Sequence, residues 1–455
     1  MLVSMLALVM ALVVVIMWKR PDRAIQIGTS NVAQILCADV FVSGLAPDRV
    51  FAENLAPEQG MHLLLSHLHY TVDRPGRKVT AQWWGHFRSE ATYYPGYGCA
   101  LPLLTPDAAT LQAAHEVAAA GSPDADTPVV IGPPAIADAM TRAFAEPASG
   151  PQRNVHAIVV LHDGKLLAER YAAGFGPDTP QLGYSASKSV VNALLGVLVR
   201  QGRLDMQTAA SVPTWRAPDD PRHGITPDQL SRMISGLDFA EEDNGFDPVS
   251  TMLFLKKDMA AYAASASLSA PPGTRWEYTS GNTLILAGIV RDLVGGGAPG
   301  LIRFAHRELF DPLGMHSVLM EFDGAQTMVG STRIYASARD WARFGQLYLD
   351  DGVVDGRRIL PEGWSAYVSK QTLDSIYGAG FWTNTGTAAD GKPIIDGMPG
   401  DAYFASGMNG QRIVIVPSKR LVIVRLGSTV DPPNFDIRGL VQLIHDVSAA
   451  IDDRR

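Results

Sequence analysis

Two strand-like stretches, Val155 to Leu161 and Leu166 to Tyr171, flank Asp163-Gly164. A period of two around a turn of that composition predicts a β-hairpin. Near the other end, Gln411 to Val416 and Leu421 to Leu426 repeat the pattern around Pro417-Ser418-Lys419-Arg420, and Phe435 to Ile451 reads as a closing helix. The two ends are therefore expected to build one antiparallel sheet. Between them the patterns are mostly helical, at Pro227 to Ile234, Asn282 to Leu293, Leu301 to Leu309 and Ala338 to Tyr348. The expected class is α+β, an α/β sandwich with an antiparallel sheet plus a helical insertion at about 205–330, the cleft lying between the two.

The amino-terminal quarter has a different texture. Residues 1–18 carry no charged side chain and are nearly all apolar, just long enough to cross a membrane's hydrocarbon core, so they read as a transmembrane helix or signal anchor. A cleaved signal peptide is less favoured, because no small-x-small pattern precedes Lys19, Arg20 and Arg23. The positive-inside rule applied to those cations would leave the rest of the chain in the cytoplasm. The localisation expected here is nevertheless a membrane-anchored chain with its catalytic part periplasmic. Cys37 and Cys99 would suit one disulfide in that oxidising compartment, or they are two unrelated buried thiols.

Residues 19–134 read as a small separate module, with strand-like Val79 to Phe87 and a turn-rich Tyr93 to Gly98. His62, His67 and His69 lack a carboxylate or thiol at ligand spacing, so packing is expected there and no metal. A proline- and glycine-rich stretch from Thr127 to Pro151, around a short helix Ile136 to Phe144, marks the junction with a catalytic domain over 135–455.

With 455 residues, 47% hydrophobic and 18% charged, the chain can bury a large core and more than one domain. A net charge of −8 gives no basic footprint, which argues against nucleic acid as a partner. The chemistry-bearing feature is Ser185-Ala186-Ser187-Lys188 at the head of an apolar helical run, Val190 to Val199. Residues three apart share a helix face, so a hydroxyl and an amine come together. A serine is a weak nucleophile until an adjacent base takes its proton. A lysine opening a buried helix can be that base, provided burial lowers its pKa from the usual ~10.4 by about three units, or roughly 4 kcal/mol.

Further along, several segments carry a resemblance. They are Tyr184 to Val190; Ile225 to Leu230 with Met233 to Leu237; Pro271 to Thr274 with Tyr278 to Asn282; Leu309 to Met315; and Ser337 to Gly345. From about Ile136 onward the chain is similar to the serine hydrolases related to class C β-lactamases, DD-peptidases and nylon-oligomer hydrolases. The resemblance implies a β-lactamase/transpeptidase-like fold and acyl transfer through a covalent Ser185 intermediate, without metal or cofactor. It makes Tyr278, of the Tyr-x-Ser match with Ser280, a partner of Lys188 in proton transfer. At the position of the Lys-Thr-Gly motif stand Met408-Asn409-Gly410, so the cation that would bind a β-lactam carboxylate is missing and penicillin-directed activity is not expected. The amides of Ser185 and Gln411 would form the oxyanion hole. Ser280, Asn282, Tyr377, Met408, Asn409 and Gly410 would line the substrate site. The patch Glu241-Glu242-Asp243 could shape substrate choice, although solvated loop is the reading favoured for it.

The partner implied is a small amide or ester substrate, with membrane contact through the first segment and the oligomeric state open. Two rivals are carried. One is a silent sensor of the same fold that binds peptidoglycan fragments or peptides. The other is an α/β-hydrolase-type esterase, for which Gly183 to Ser187 is a near match to the nucleophile elbow and His445 is the late histidine.

Overall fold

Gly427 and Val155, far apart in sequence, lie side by side, because strand Leu421–Gly427 pairs antiparallel with Val155–His162. The computed structural model describes residues 20–58, 60–120, 128–242, 244–386, 393, 395–429 and 435–453. The expected anchor over 1–18 and Asp243 lie outside them. Among the described residues no single helix is long and apolar enough to cross a membrane.

Both predicted hairpins form, and they join in a six-stranded antiparallel sheet. Its order is Trp382–Thr383, Tyr403–Gly407, Gln411–Val416, Leu421–Gly427, Val155–His162, Lys165–Tyr171. The turn at Asp163 and Gly164 has positive φ at both residues (48° and 73°), the twist that two-residue hairpins prefer. Strand alternation then sorts the core. Ala157, Val159, Ile413 and Val422 enter one buried cluster, while Ile158, Val160, Val414 and Ile423 enter another. The second cluster is sealed by the closing helix Phe435–Asp452 and by Pro134–Phe144. Helices Ser187–Arg200 and Ala338–Leu349 contribute to the first. The architecture is thus an α+β sandwich, and the parallel sheet that an α/β-hydrolase requires is replaced by an antiparallel one.

The helical insertion contains Pro227–Ser231, Pro248–Leu255, Met259–Ala264, Ser280–Val294 and Gly297–Ala305. The first is shorter than its pattern, because Met233 adopts a left-handed φ of 60° that no helix continues through. Beyond Gly297–Ala305 the chain widens into a π turn, His306–Phe310.

The amino-terminal quarter departs most from expectation. Pro21–Phe41 is a helix of 21 residues. Its buried side chains include Thr29, Ser30, Gln34 and Asp39, which blur an apolar period. Each finds a partner elsewhere: Thr29 and Ser30 at Ser89 Oγ, Gln34 at Glu321, and Asp39 at Asn54. Val79 to Phe87 is not one strand but parts of two, Lys78–Trp83 and His86–Tyr94, reversed at Trp84 and Gly85 with φ of 51° and 68°. Cys37 and Cys99 are joined in a disulfide that ties the helix to strand Gly98–Ala100. Val32, Leu36 and Ala91 share one buried cluster with Leu182, Val190 and Tyr335, so this quarter packs into the same core as the chain that follows.

Candidate active site

Gly183 is squeezed between layers: a Cβ there would lie 2.6 Å from the Trp341 ring and 3.0 Å from the Ile334 carbonyl. Tyr184 follows with φ of 45°, left-handed geometry that costs a non-glycine residue about 1–2 kcal/mol. This bend aims the short turn Tyr184–Ala186 at a cavity, and helix Ser187–Arg200 starts directly after it. Ser185 is partly exposed while its neighbours on both sides are buried. Ser187, the other hydroxyl of the tetrad, is fully buried and accepts the Ile334 amide.

Lys188 is only 3% exposed. Its Nζ lies 2.9 Å from Ser185 Oγ, 3.0 Å from Ser280 Oγ and 3.1 Å from the Ser331 carbonyl, and 4.7 Å from the centre of the Tyr278 ring. Ser280 opens helix Ser280–Val294, which Thr279 caps through the Gly281 amide. Glu241 reaches this same end: one carboxylate oxygen accepts the Ser280 hydroxyl at 3.1 Å and the other accepts the Ser280 amide. Because Ser280 Oγ has a single proton, which goes to Glu241, it can only accept from Lys188. Glu241 thereby fixes the direction of the network, a role hidden in an ordinary acidic run.

The remaining expected residues divide. Strand end Gly407 packs so closely on the serine turn that a Cβ there would lie 2.2 Å from the Gly183 carbonyl. That contact sets Met408, Asn409 and Gly410 beside Ser185, and all of them line one cavity with Ser280 and Glu241. Gln411 does not face it. Its amide donates to the Met408 carbonyl, and its buried side chain bonds Gly427 on the neighbouring strand. Asn282 is buried against Ser235 and Met233, and Tyr377 is 1% exposed. Tyr377 sits in an aromatic box with Trp276, Tyr278 and Trp382, where burial and the neighbouring Tyr278 and Glu241 hold its phenol well above the ordinary range. His445 lies on the closing helix with its side chain 72% exposed.

The absent Lys-Thr-Gly lysine has a neighbour in place. Arg412 lines the cavity and donates to the Gly407 and Gln411 carbonyls, bracing the loop. Asn409, left-handed at φ 57°, is reached from the amino-terminal quarter: its amide nitrogen donates to Asn54, which in turn donates to Asp39. The cavity measures about 1180 Å³ and one wall is the Pro21–Phe41 helix, through Ile25, Gly28 and Ile35 among others. Nothing in the sequence linked that helix to Ser185; only the packing does.

The sequence model of the family described as Beta-lactamase matches residues 140–446. A curated 6-aminohexanoate-dimer hydrolase from Paenarthrobacter ureafaciens is 27% identical over 315 residues, covering 65% of this chain and 78% of that protein. Among solved structures, a candidate 6-aminohexanoate-dimer hydrolase from Bacillus anthracis superposes with a TM-score of 0.56 at 24% identity, over 66% of this chain and 80% of that one. A penicillin-binding protein homologue from Caulobacter crescentus gives a TM-score of 0.55 at 18% identity, over 71% and 99%.

Proposed function

The chain belongs to the β-lactamase family, and from that premise we propose that it is a serine hydrolase that cleaves an amide or ester bond through an acyl-Ser185 intermediate. The observation that carries the proposal is the 2.9 Å contact of Lys188 Nζ with Ser185 Oγ inside a buried acceptor set. A neutral lysine amine has two N–H bonds and one lone pair. With the N–H bonds given to Ser280 Oγ and the Ser331 carbonyl, the lone pair is left facing the serine proton.

Ser185 Oγ attacks the carbonyl while its proton passes to Lys188, giving a tetrahedral oxyanion. Collapse breaks the bond to the leaving alcohol or amine, which departs with that proton, relayed through the Tyr278 phenol. Water then adds to the acyl-enzyme by the same exchange in reverse and releases the acid. The Ser185 amide is one oxyanion donor. Since the Gln411 amide is already engaged, the second donor in this reading is the Met408 amide, which opens a 3₁₀ turn and so has no acceptor within it. The 6-aminohexanoate-dimer hydrolase relative supports an amide as substrate. The disulfide and the uncharged run 1–18 support an extracytoplasmic, membrane-tethered location.

A fluorophosphonate tests the proposal directly. Ser185 should be labelled, and Lys188→Ala should slow labelling by about 10²- to 10⁴-fold. Labelling at full rate in Lys188→Ala would remove the lysine as base. No labelling of the parent protein would favour the silent peptidoglycan- or peptide-binding sensor instead.

A further inference from the structure

The wall that the amino-terminal quarter contributes to the Ser185 cavity has its own chemistry. Ile25, Leu63, Leu64 and Trp83 line it. Of the polar side chains on the same wall, Asn31 and Glu58 are hydrogen-bonded to each other, and Gln34 donates to Glu321 and the Cys99 carbonyl. At about 1180 Å³ the space exceeds the usual range of small-molecule sites. Large apolar side chains that line it are also open to solvent: Leu63 is 70% exposed, Phe246 54% and Met408 41%. Trp84, 61% exposed, stacks on Trp83 beside them. Pro21, which opens the Pro21–Phe41 helix, also lines the cavity.

Resting on the serine-hydrolase reading, we propose that the substrate is an ester or amide of a long aliphatic acid, its hydrocarbon chain lying against the Pro21–Phe41 helix while its carbonyl meets Ser185. The chain's burial supplies binding, and the reaction itself is unchanged: the acyl group passes to Ser185 Oγ, the leaving group takes the serine's proton, and water frees the fatty acid. Such a substrate is either monomeric in water or drawn from a bilayer; both present the same acyl chemistry.

The test uses the full chain in phosphatidylcholine vesicles. p-Nitrophenyl acetate, butyrate, octanoate and dodecanoate are compared below their micelle concentrations, and kcat/KM should rise about tenfold for every two methylenes until the cavity is filled. Ile25→Trp, which narrows the cavity, should lower the octanoate-to-acetate ratio at least about tenfold. Phe246→Ser, an exposed loop change that spares the core, should lower the same ratio if Ile25→Trp fails to fold. A second arm compares monomeric dodecanoate with a diacyl lipid ester in the vesicle. Preference for either supports the acyl assignment and identifies the source. Acetate turnover with a flat length profile, or a ratio unmoved by both variants, overturns this inference and leaves the hydrolase reading standing. No turnover at any length, together with an unlabelled Ser185, overturns both.

Discussion

Lys188 contacts oxygens from three different parts of the chain, and the partner that orders this set is a carboxylate two hydrogen bonds away. Glu241→Ala should therefore lower kcat/KM by about tenfold to a hundredfold, on the ~1.5–3 kcal/mol scale of hydrogen bonds to charged groups. Steady-state kinetics on p-nitrophenyl acetate, with circular dichroism as a fold check, would read that loss. Gly410 is the opposite kind of residue, valuable for what it lacks. Its φ is +84° and a Cβ would lie 2.0 Å from Arg425 Nη1, so Gly410→Ala should destabilise the loop and lower activity. His445, its side chain 72% exposed on the closing helix, should tolerate Ala with unchanged turnover.

At the level of elements, the site is an intersection: the head of helix Ser187–Arg200, the head of helix Ser280–Val294 and the end of strand Tyr403–Gly407. Thr279 accepts the Gly281 amide at 3.1 Å, and Thr279→Ala should cost about 1 kcal/mol in urea unfolding. It should also perturb Ser280, whose amide and hydroxyl both face Glu241. Four strands of the sheet, those of the two hairpins, were legible because each pair flanks turn residues and alternates between two buried clusters, whereas Trp382–Thr383 and Tyr403–Gly407 were not read as strands. Helix Pro21–Phe41 was not legible, since its buried polar residues find partners outside the helix, at Ser89, Cys99, Glu321 and Asn54. The hairpin at Trp84-Gly85 was hidden for a related reason: a tryptophan is a poor local signal for a left-handed turn position.

For the whole molecule, the buried acid Glu321 joins the rest of the chain to the amino-terminal quarter through Gln34 and the Cys99 amide, and Asp39 is buried within that quarter. Burial pushes Asp39 up to about 7, although Asn54 donates to it. Burial also pushes Glu321, which accepts the Cys99 amide, up to about 7. Both pKa values exceed the ~4 of an unfolded carboxyl, so the folded chain keeps protons that the unfolded chain has lost. Their stabilising contribution is complete below about pH 4 and is lost as pH rises to about 7, at roughly 1.4 kcal/mol per unit for each group. The urea midpoint should fall between pH 5 and 7.5, and Asp39→Asn should flatten that slope. Reduction of Cys37–Cys99, which are 62 residues apart, should cost about 4 kcal/mol in the same assay. The sequence by itself determined the two hairpins of the antiparallel sheet and the Ser185–Lys188 pair, because strand period, turn composition and helix spacing act over a few residues, and its motif segments carried the family resemblance. Only the tertiary structure decided that Gln411 turns away, that Glu241 orders the lysine, and that the first helix walls the cavity. The Glu241 contact and the cavity wall join residues tens to hundreds of positions apart, and Gln411 is held by its strand neighbour Gly427, so local pattern carries no register for them.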